Sequence, residues 1–431
     1  MIERDDYLKQ LIAKKGNGMI KVITGIRRCG KSTLLFGIYR DYLKSIGVEN
    51  DQIVELSLDD DENIRYRNPL ELGKYIRSFL VDDSKAYYVF LDEIQKVKTI
   101  KNPYLDSDDE TVGFVDVLLG LMKRRNVDLY VTGSNSRMLS SDLLTEFRGR
   151  GDEIRVHPLS YKEYYDALSG DKNDAWASYF TYGGMPYLLR LKTHQEKSQY
   201  LKNLFGNIYV NDILERRHIK DKGLLDDLLD VISSSTGSLT SPKKIADTFA
   251  SEKRIKVTDD TIAKYLDYLT DAFLISKAVR YDVKGRKYIG SPSKYYFADI
   301  GLRNARLNFR QTEENHIMEN ILYNELCRRG FDVDVGVVEW NYKDPAGKSK
   351  KGNLEIDFAA TDGSRKYYLQ SAFSIGEEEK RLQEIRPYRL VHDSFKKIVV
   401  IKDNIVPWHD ENGILYVGIE KFLLDPSIID Y

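Results

Sequence analysis

Between residues 19 and about 157 the chain alternates short, largely apolar runs with stretches whose apolar residues recur every three or four positions. The runs at Met19–Thr24, Ile53–Leu58, Tyr87–Leu91, Leu129–Thr132 and Glu153–His157 predict strands. Their largely apolar character suits burial on both faces, as in a parallel sheet covered by helices, whereas a sheet with one wet face would alternate. Beyond Ser160 the strand signal stops. Tyr161–Ala167, Ala175–Phe180 and Lys197–Arg217 predict helices, interrupted at Gly183-Gly184-Met185-Pro186.

Residues 227–300 read as three helices, Asp227–Ser233, Ser241–Ala250 and Asp259–Ala272. Two extended runs follow, Leu274–Asp282 and Lys287–Ala298, around Lys284-Gly285-Arg286, which is the order of a winged helix-turn-helix. The last segment predicts a helix at Glu313–Arg329, strands near Val333–Trp340, Glu355–Ala360, Lys366–Ala372 and Lys397–Ile401, and a polar loop at Asp344–Asn353. The expected organisation is an α/β core over 1–159, a helical lid over 160–226, a winged helix over 227–304 and a further α/β domain over 305–431.

Composition agrees with several domains, since 431 residues exceed what one core usually supports. Hydrophobic residues make up 42% and charged residues 31%, and no apolar run approaches the roughly 18 residues a membrane helix needs. The start of the chain lacks a basic stretch followed by an apolar one, so the cytoplasm is the expected location. Cys29 and Cys327 are the only cysteines, which excludes a disulfide framework or a cysteine-rich zinc site. A net charge of -1 gives no global reason to expect nucleic acid, so local charge must decide.

The chemistry concentrates in the first segment. Gly25-Ile26-Arg27-Arg28-Cys29-Gly30-Lys31-Ser32-Thr33 matches G-x-x-x-x-G-K-[ST], follows an apolar strand and opens the amphipathic stretch Leu34–Leu43. A glycine-rich turn leading into a helix gathers backbone N–H groups around one point, which suits the phosphates of ATP. Lys31 is expected at the β- and γ-phosphates, the Ser32 hydroxyl on magnesium, and Thr33 in the packing of the helix.

Tyr87–Leu91 delivers Asp92 and Glu93 to the C-terminal end of a strand, where open α/β sheets bind ligands. Asp92 is the candidate metal-side carboxylate and Glu93 the candidate base for the attacking water. Leu129–Thr132 ends in Gly133-Ser134-Asn135, and Ser134 or Asn135 is the candidate γ-phosphate sensor. A predicted helix over Ser140–Phe147 leads to Arg148-Gly149-Arg150. There two readings stand: an arginine finger completing a neighbouring copy's site, or two solvated surface arginines.

The order of phosphate loop, Leu91-Asp92-Glu93, Thr132-Gly133-Ser134-Asn135, Arg148-Gly149-Arg150, His157-Pro158-Leu159-Ser160 and Gly183-Gly184-Met185-Pro186 resembles AAA+-type ATPases of a large prokaryotic family. Its members carry a C-terminal domain of unknown function related to nucleases. The resemblance continues through Tyr209–Arg217, Glu319–Leu326, Glu355–Phe358 and Tyr368–Ser374. It implies an Mg-ATP-dependent ATPase coupled to a DNA-associated module. The expected function is an ATP-hydrolysing switch or motor acting on DNA or a DNA-bound partner, and the alternative is a nucleotide-gated DNA-binding regulator with slow turnover. A homo-oligomer would follow from an arginine finger in trans.

Lys253, Arg254, Lys256, Lys264, Lys277, Arg280, Lys284, Arg286 and Lys287 could neutralise DNA phosphates, but Asp259, Asp260, Asp267 and Asp271 on the expected recognition helix would repel them. The competing reading is a spacer that contacts protein. The last domain resembles the PD-(D/E)XK nuclease fold, with Glu319 and Asp357 at matching positions. It departs at Gln370-Ser371-Ala372, where active members have an acidic residue, any residue and lysine, so an inactive domain is expected.

Overall fold

The computed structural model describes residues 2–104, 110–133, 147, 149–168, 170–217, 219, 221–310, 313–343, 347–363, 365–373 and 378–431. It divides into two compact units, residues 1–158 with 271–273, and 159–270 with 274–431. Among the described residues no helix is long and apolar enough to cross a membrane.

The first unit is built on five strands, β1 (Ile20–Thr24), β2 (Ile53–Ser57), β3 (Tyr87–Asp92), β4 (Val127–Thr132) and β5 (Gly151–Arg155). All the pairings are parallel, in the order β2-β3-β4-β1-β5. The five expected strands are therefore present, each shifted by no more than a few residues. Every residue of β1 and β3 is buried, which is why neither run alternates. One face packs against Leu72 and Ile76 of the helix Pro69–Phe79 and Leu118 and Leu121 of the helix Phe114–Leu121. Asn68 starts the first of these by accepting from the backbone N–H of Leu70, with Pro69 at its first turn.

The stretch after the phosphate loop is helical in three consecutive pieces, Lys31–Thr33, a π turn over Leu34–Tyr39, and Arg40–Ser45. Its Tyr39 packs against Phe90 and Tyr130 on the sheet. Thr33, expected to pack, is exposed. A helix over Asp5–Lys14, with Asp5 and Asp6 in its first turn and Lys14 in its last, was not expected.

The second unit centres on an eight-stranded mixed sheet. Its strands are β6 (Ile275–Asp282), β7 (Lys287–Phe297), β8 (Asp332–Lys343), β9 (Ser349–Asp362), β10 (Arg365–Ala372), β11 (Lys396–Ile401), β12 (Trp408–His409) and β13 (Leu415–Gly418), in the order β12-β13-β11-β10-β9-β8-β6-β7. The helix Glu314–Arg328 buries Ile317, Met318, Ile321 and Leu322 with Phe358 and Leu369 of the sheet. Ile385, Tyr388 and Val391 pack with Ile356, Tyr368 and Val399 in a separate cluster.

Three features depart from expectation. The hairpin expected as a wing is not free-standing, because β6 pairs in parallel with β8 and forms one end of the large sheet with β7. Tyr161 and Ala175, from the helices Tyr161–Leu168 and Lys172–Tyr182, share a core with the helix Glu314–Arg328, so the helical segment lies in the second unit. Within the polar stretch expected as a loop, Ser349–Asn353 belongs to β9, while residues 344–346 lie outside those described. Cross-strand pairing overrides its composition. Trp340 lies opposite Gly352 and stacks on Tyr342 with ring centroids 4.9 Å apart, which ties down the β8–β9 ribbon.

Candidate functional site

The phosphate-loop segment leaves β1 at Gly25, where a Cβ would lie 2.1 Å from the Val156 carbonyl oxygen, so only glycine fits. It ends at Gly30, in the left-handed region at φ 103°, with no side chain capping the helix that begins at Lys31. Helix N-terminal N–H groups with no side-chain cap, behind a turn of this kind, form the donor set an anion requires. The Lys31 ammonium is buried and donates to the carbonyls of Gly25 at 2.9 Å and Ile26 at 3.1 Å. The Ser32 residue at the same helix start is exposed. A polyphosphate fits this donor set, with Ser32 and Asp92 as the oxygen ligands available to its magnesium ion.

β3 carries Asp92 to the same C-terminal edge of the sheet, where its carboxylate accepts from the hydroxyl of Thr132 at the end of the neighbouring β4. That hydroxyl oxygen also accepts from the backbone N–H of Glu93 at 3.2 Å. Glu93 sits in the left-handed region at φ 53°, uncommon for a residue with a side chain, and Gln95 donates to its carboxylate. One threonine therefore joins the two acidic residues, and a glutamine two residues on holds the second. In the sequence Thr132 marked only the end of the strand before Gly133-Ser134-Asn135, and Gln95 was not singled out.

A second group supports the loop from its other side. Arg4, just ahead of the first helix, donates to the carbonyls of Cys29 at 3.2 Å and His157 at 2.7 Å. The N–H of His157 in turn donates to the Tyr7 hydroxyl at 3.0 Å. The Cys29 thiol is buried and donates to the Val156 carbonyl at 3.3 Å, so it is a packing group.

Ser134, Asn135 and Arg148 lie outside the described residues, as does nearly all of the expected helix Ser140–Phe147. Arg150 is exposed, and its carbonyl accepts from Ile20 at 2.8 Å, at the start of β1. It lies one strand length, roughly 16 Å, from the phosphate-loop end of the same strand. The carboxylates of the last segment do come together: Glu319 from the helix Glu314–Arg328 and Asp357 from β9 share a buried site with Lys294 of β7. Ala372 packs in an apolar cluster.

A parallel sheet in the order β2-β3-β4-β1-β5, a phosphate loop after β1 and a carboxylate-bearing β3 beside it define a P-loop nucleotide-binding core. The family model described as an AAA domain matches residues 17–165, and that of a domain of unknown function (DUF8612) matches residues 173–313. The chain is 33% identical over 405 residues to an uncharacterized protein of Haemophilus influenzae, with 93% of each chain covered. It is 26% identical over 441 residues to an uncharacterized protein of Methanocaldococcus jannaschii, covering 99% of this chain and 88% of that one. The Walker-type ATPase of Pyrococcus abyssi overlaps 71% of this chain and 96% of its own at 17% identity, with a TM-score of 0.49. The chain belongs to the family of the Haemophilus protein, and in this chain an AAA domain of the AAA+ ATPase type is followed by a domain of unknown function.

Proposed function

We propose that the chain hydrolyses Mg-ATP and uses the energy as a switch or motor acting on DNA or a DNA-bound partner. The observation that carries the ATPase half is the joint held by Thr132, which brings Asp92 and Glu93 to the sheet edge occupied by Lys31. Lys31 leaves its two carbonyl partners for the β- and γ-phosphates, and Glu93 orients and deprotonates the attacking water. Magnesium would be held by Ser32 and Asp92 and would supply charge neutralisation on the phosphates. Ser134 or Asn135 senses the γ-phosphate, and Arg148 or Arg150 serves a neighbouring copy.

The DNA half rests on three helices followed by the β6–β7 hairpin, whose turn exposes Lys284, Arg286 and Lys287. Asp259, Asp260 and Asp267 are exposed on the helix Asp259–Asp271, so phosphate contact through the basic turn is favoured over insertion of that helix into a groove. Turnover of ATP with and without duplex DNA, across salt concentration, tests both halves. Wild type should turn over, Lys31→Ala should not, and Glu93→Gln should bind ATP yet hydrolyse it slowly. Wild-type turnover by Glu93→Gln would remove the base assignment. Turnover indifferent to DNA at low salt, with tight ATP retention, would favour the nucleotide-gated regulator instead.

A further inference from the structure

The resemblance to metal-dependent nucleases implies a divalent cation between Glu319 and Asp357, but the residues there do not fit one. The ammonium of Lys294 lies 2.8 Å from Glu319 Oε1, 2.6 Å from Glu355 Oε1 and 3.5 Å from Asp357 Oδ1, with its side chain only 4% exposed. The Tyr296 hydroxyl donates to the same Glu319 oxygen at 2.6 Å, and the backbone N–H of Ser371 donates to Asp357 Oδ2 at 2.9 Å. These carboxylate oxygens thus face proton donors that metal ligation would have to displace.

Gln370 sits where an active nuclease has an acidic ligand. Its amide oxygen accepts from the backbone N–H of Asp357 at 3.4 Å and its nitrogen donates to Glu384 at 3.3 Å, so it braces the strand. Among the described residues, no group of three or more histidine, cysteine, aspartate or glutamate side chains is arranged to hold a metal.

The backbone is shaped for this arrangement. Pairing of β8 with β9 moves from Asp334 opposite Ala359 to Gly336 opposite Ile356, which places one extra residue in β9 beside Asp357. A bulge of this kind re-aims side chains, and here Ile356 and Phe358 join different core clusters, with Asp357 between them facing Lys294. Although burial works against its charge, the carboxylates of Glu319, Asp357 and Glu355 raise Lys294 above its ordinary value. A divalent ion beside that ammonium would meet like charge at a few ångströms in a poorly solvated site.

We infer that Lys294 is the built-in cation of this cluster: its ammonium stands where a divalent metal would, closing the site to metal and to metal-dependent DNA cleavage. The lysine comes from β7, on the far side of β6 and β8 from β9, instead of from the strand that carries it in active nucleases. Removing it would leave the carboxylates of Glu319, Glu355 and Asp357 without their cation and free to turn toward a metal.

The test uses the full chain, free of nucleotide, with Mn2+ as the ion. In wild type, Asp357→Asn should leave Mn2+ binding unchanged, and no cleavage of linear, circular or branched DNA should appear. Lys294→Met should gain one Mn2+ site, lost again in Lys294→Met/Asp357→Asn, and its thermal midpoint should rise by about 5 °C at roughly 1 mM Mn2+. A folded Lys294→Met that gains no site would overturn the inference. So would wild-type Mn2+ binding, or cleavage, that disappears with Asp357→Asn. This wild-type comparison decides the matter even where Lys294→Met does not fold.

Discussion

The hydroxyl of Thr132 donates to the carboxylate of Asp92 across neighbouring parallel strands. The same oxygen accepts from the backbone of Glu93, so the threonine fixes both the direction of one carboxylate and the turn that presents the other. Valine has the same shape without the hydroxyl. Thr132→Val should keep the fold and bind nucleotide within a few-fold of wild type, while turnover falls about 10–100-fold, the usual cost of losing such an orienting partner. Equilibrium nucleotide binding and steady-state turnover, measured together, check it; unchanged turnover would detach Thr132 from the reaction.

Arg150 stands at the opposite end of β1 from the phosphate loop. That separation argues against service to its own nucleotide, and the two readings left, a finger for a neighbouring copy and a solvated surface arginine, differ in what they predict. For a finger, specific activity should rise with protein concentration, and Arg150→Ala should bind ATP normally but lose the concentration-dependent rate, up to about 10³-fold. Constant specific activity over a wide dilution series, in a protein shown by light scattering to stay monomeric, would count against it.

Lys21 is fully buried on β1 and paired with Asp128 on β4, which also accepts from the Tyr130 hydroxyl at 2.7 Å and the Gly16 N–H at 2.9 Å. Burial pulls the Lys21 ammonium below its ordinary value even with Asp128 beside it. Asp128→Ala leaves that ammonium with only neutral acceptors, Asn17 Oδ1 at 3.1 Å and the Met19 carbonyl at 2.9 Å, and should cost roughly 3 kcal/mol. The double change Lys21→Met/Asp128→Ala should recover part of the loss in urea unfolding.

Asp299 caps the helix Ile300–Arg306 and accepts from the N–H groups of Gly184 at 2.6 Å, Gly301 at 3.0 Å and Leu302 at 3.3 Å. Burial pushes its carboxyl from an ordinary 3.8 up to about 6, against those three donors. Folding therefore favours the protonated form. The stabilising contribution, roughly 3 kcal/mol, is complete below pH 3.8, is lost as pH rises to about 6, and is flat beyond. Relative to Asp299→Asn, the wild-type unfolding free energy should fall across that window and then level off. A difference that rises with pH would reverse the assignment.

β1 and β3 were legible as apolar runs buried along their whole length and closed by a glycine or an acidic pair, whereas β5 buries only Ile154 and was legible from its alternation, and the phosphate loop was legible because its spacing is its chemistry. Thr132 and Gln95 were not, since their roles depend on the β3–β4 register and on the left-handed backbone at Glu93. Lys294 was hidden for a similar reason. Along the chain it is one more basic residue in a hairpin, and only the fold brings it to Glu319, 25 residues away, and to Glu355 and Asp357 beyond that. The Ser349–Asn353 strand was missed because polar composition outweighed a pairing that is visible only in three dimensions.

The parallel pairing of β6 with β8, with Val335 opposite Arg280 and Val337 opposite Asp282, also bears on how the protein can be divided. A cut in the segment joining the hairpin to the helix Glu314–Arg328 would leave each fragment with a raw sheet edge. On one of them, the buried stretch from Val335 to Val338 would face water. Such fragments should clump, and loss of either should melt the other. Evolution, like a protease, has little room to separate these pieces, so recombination that swaps the last segment between relatives should carry the hairpin with it.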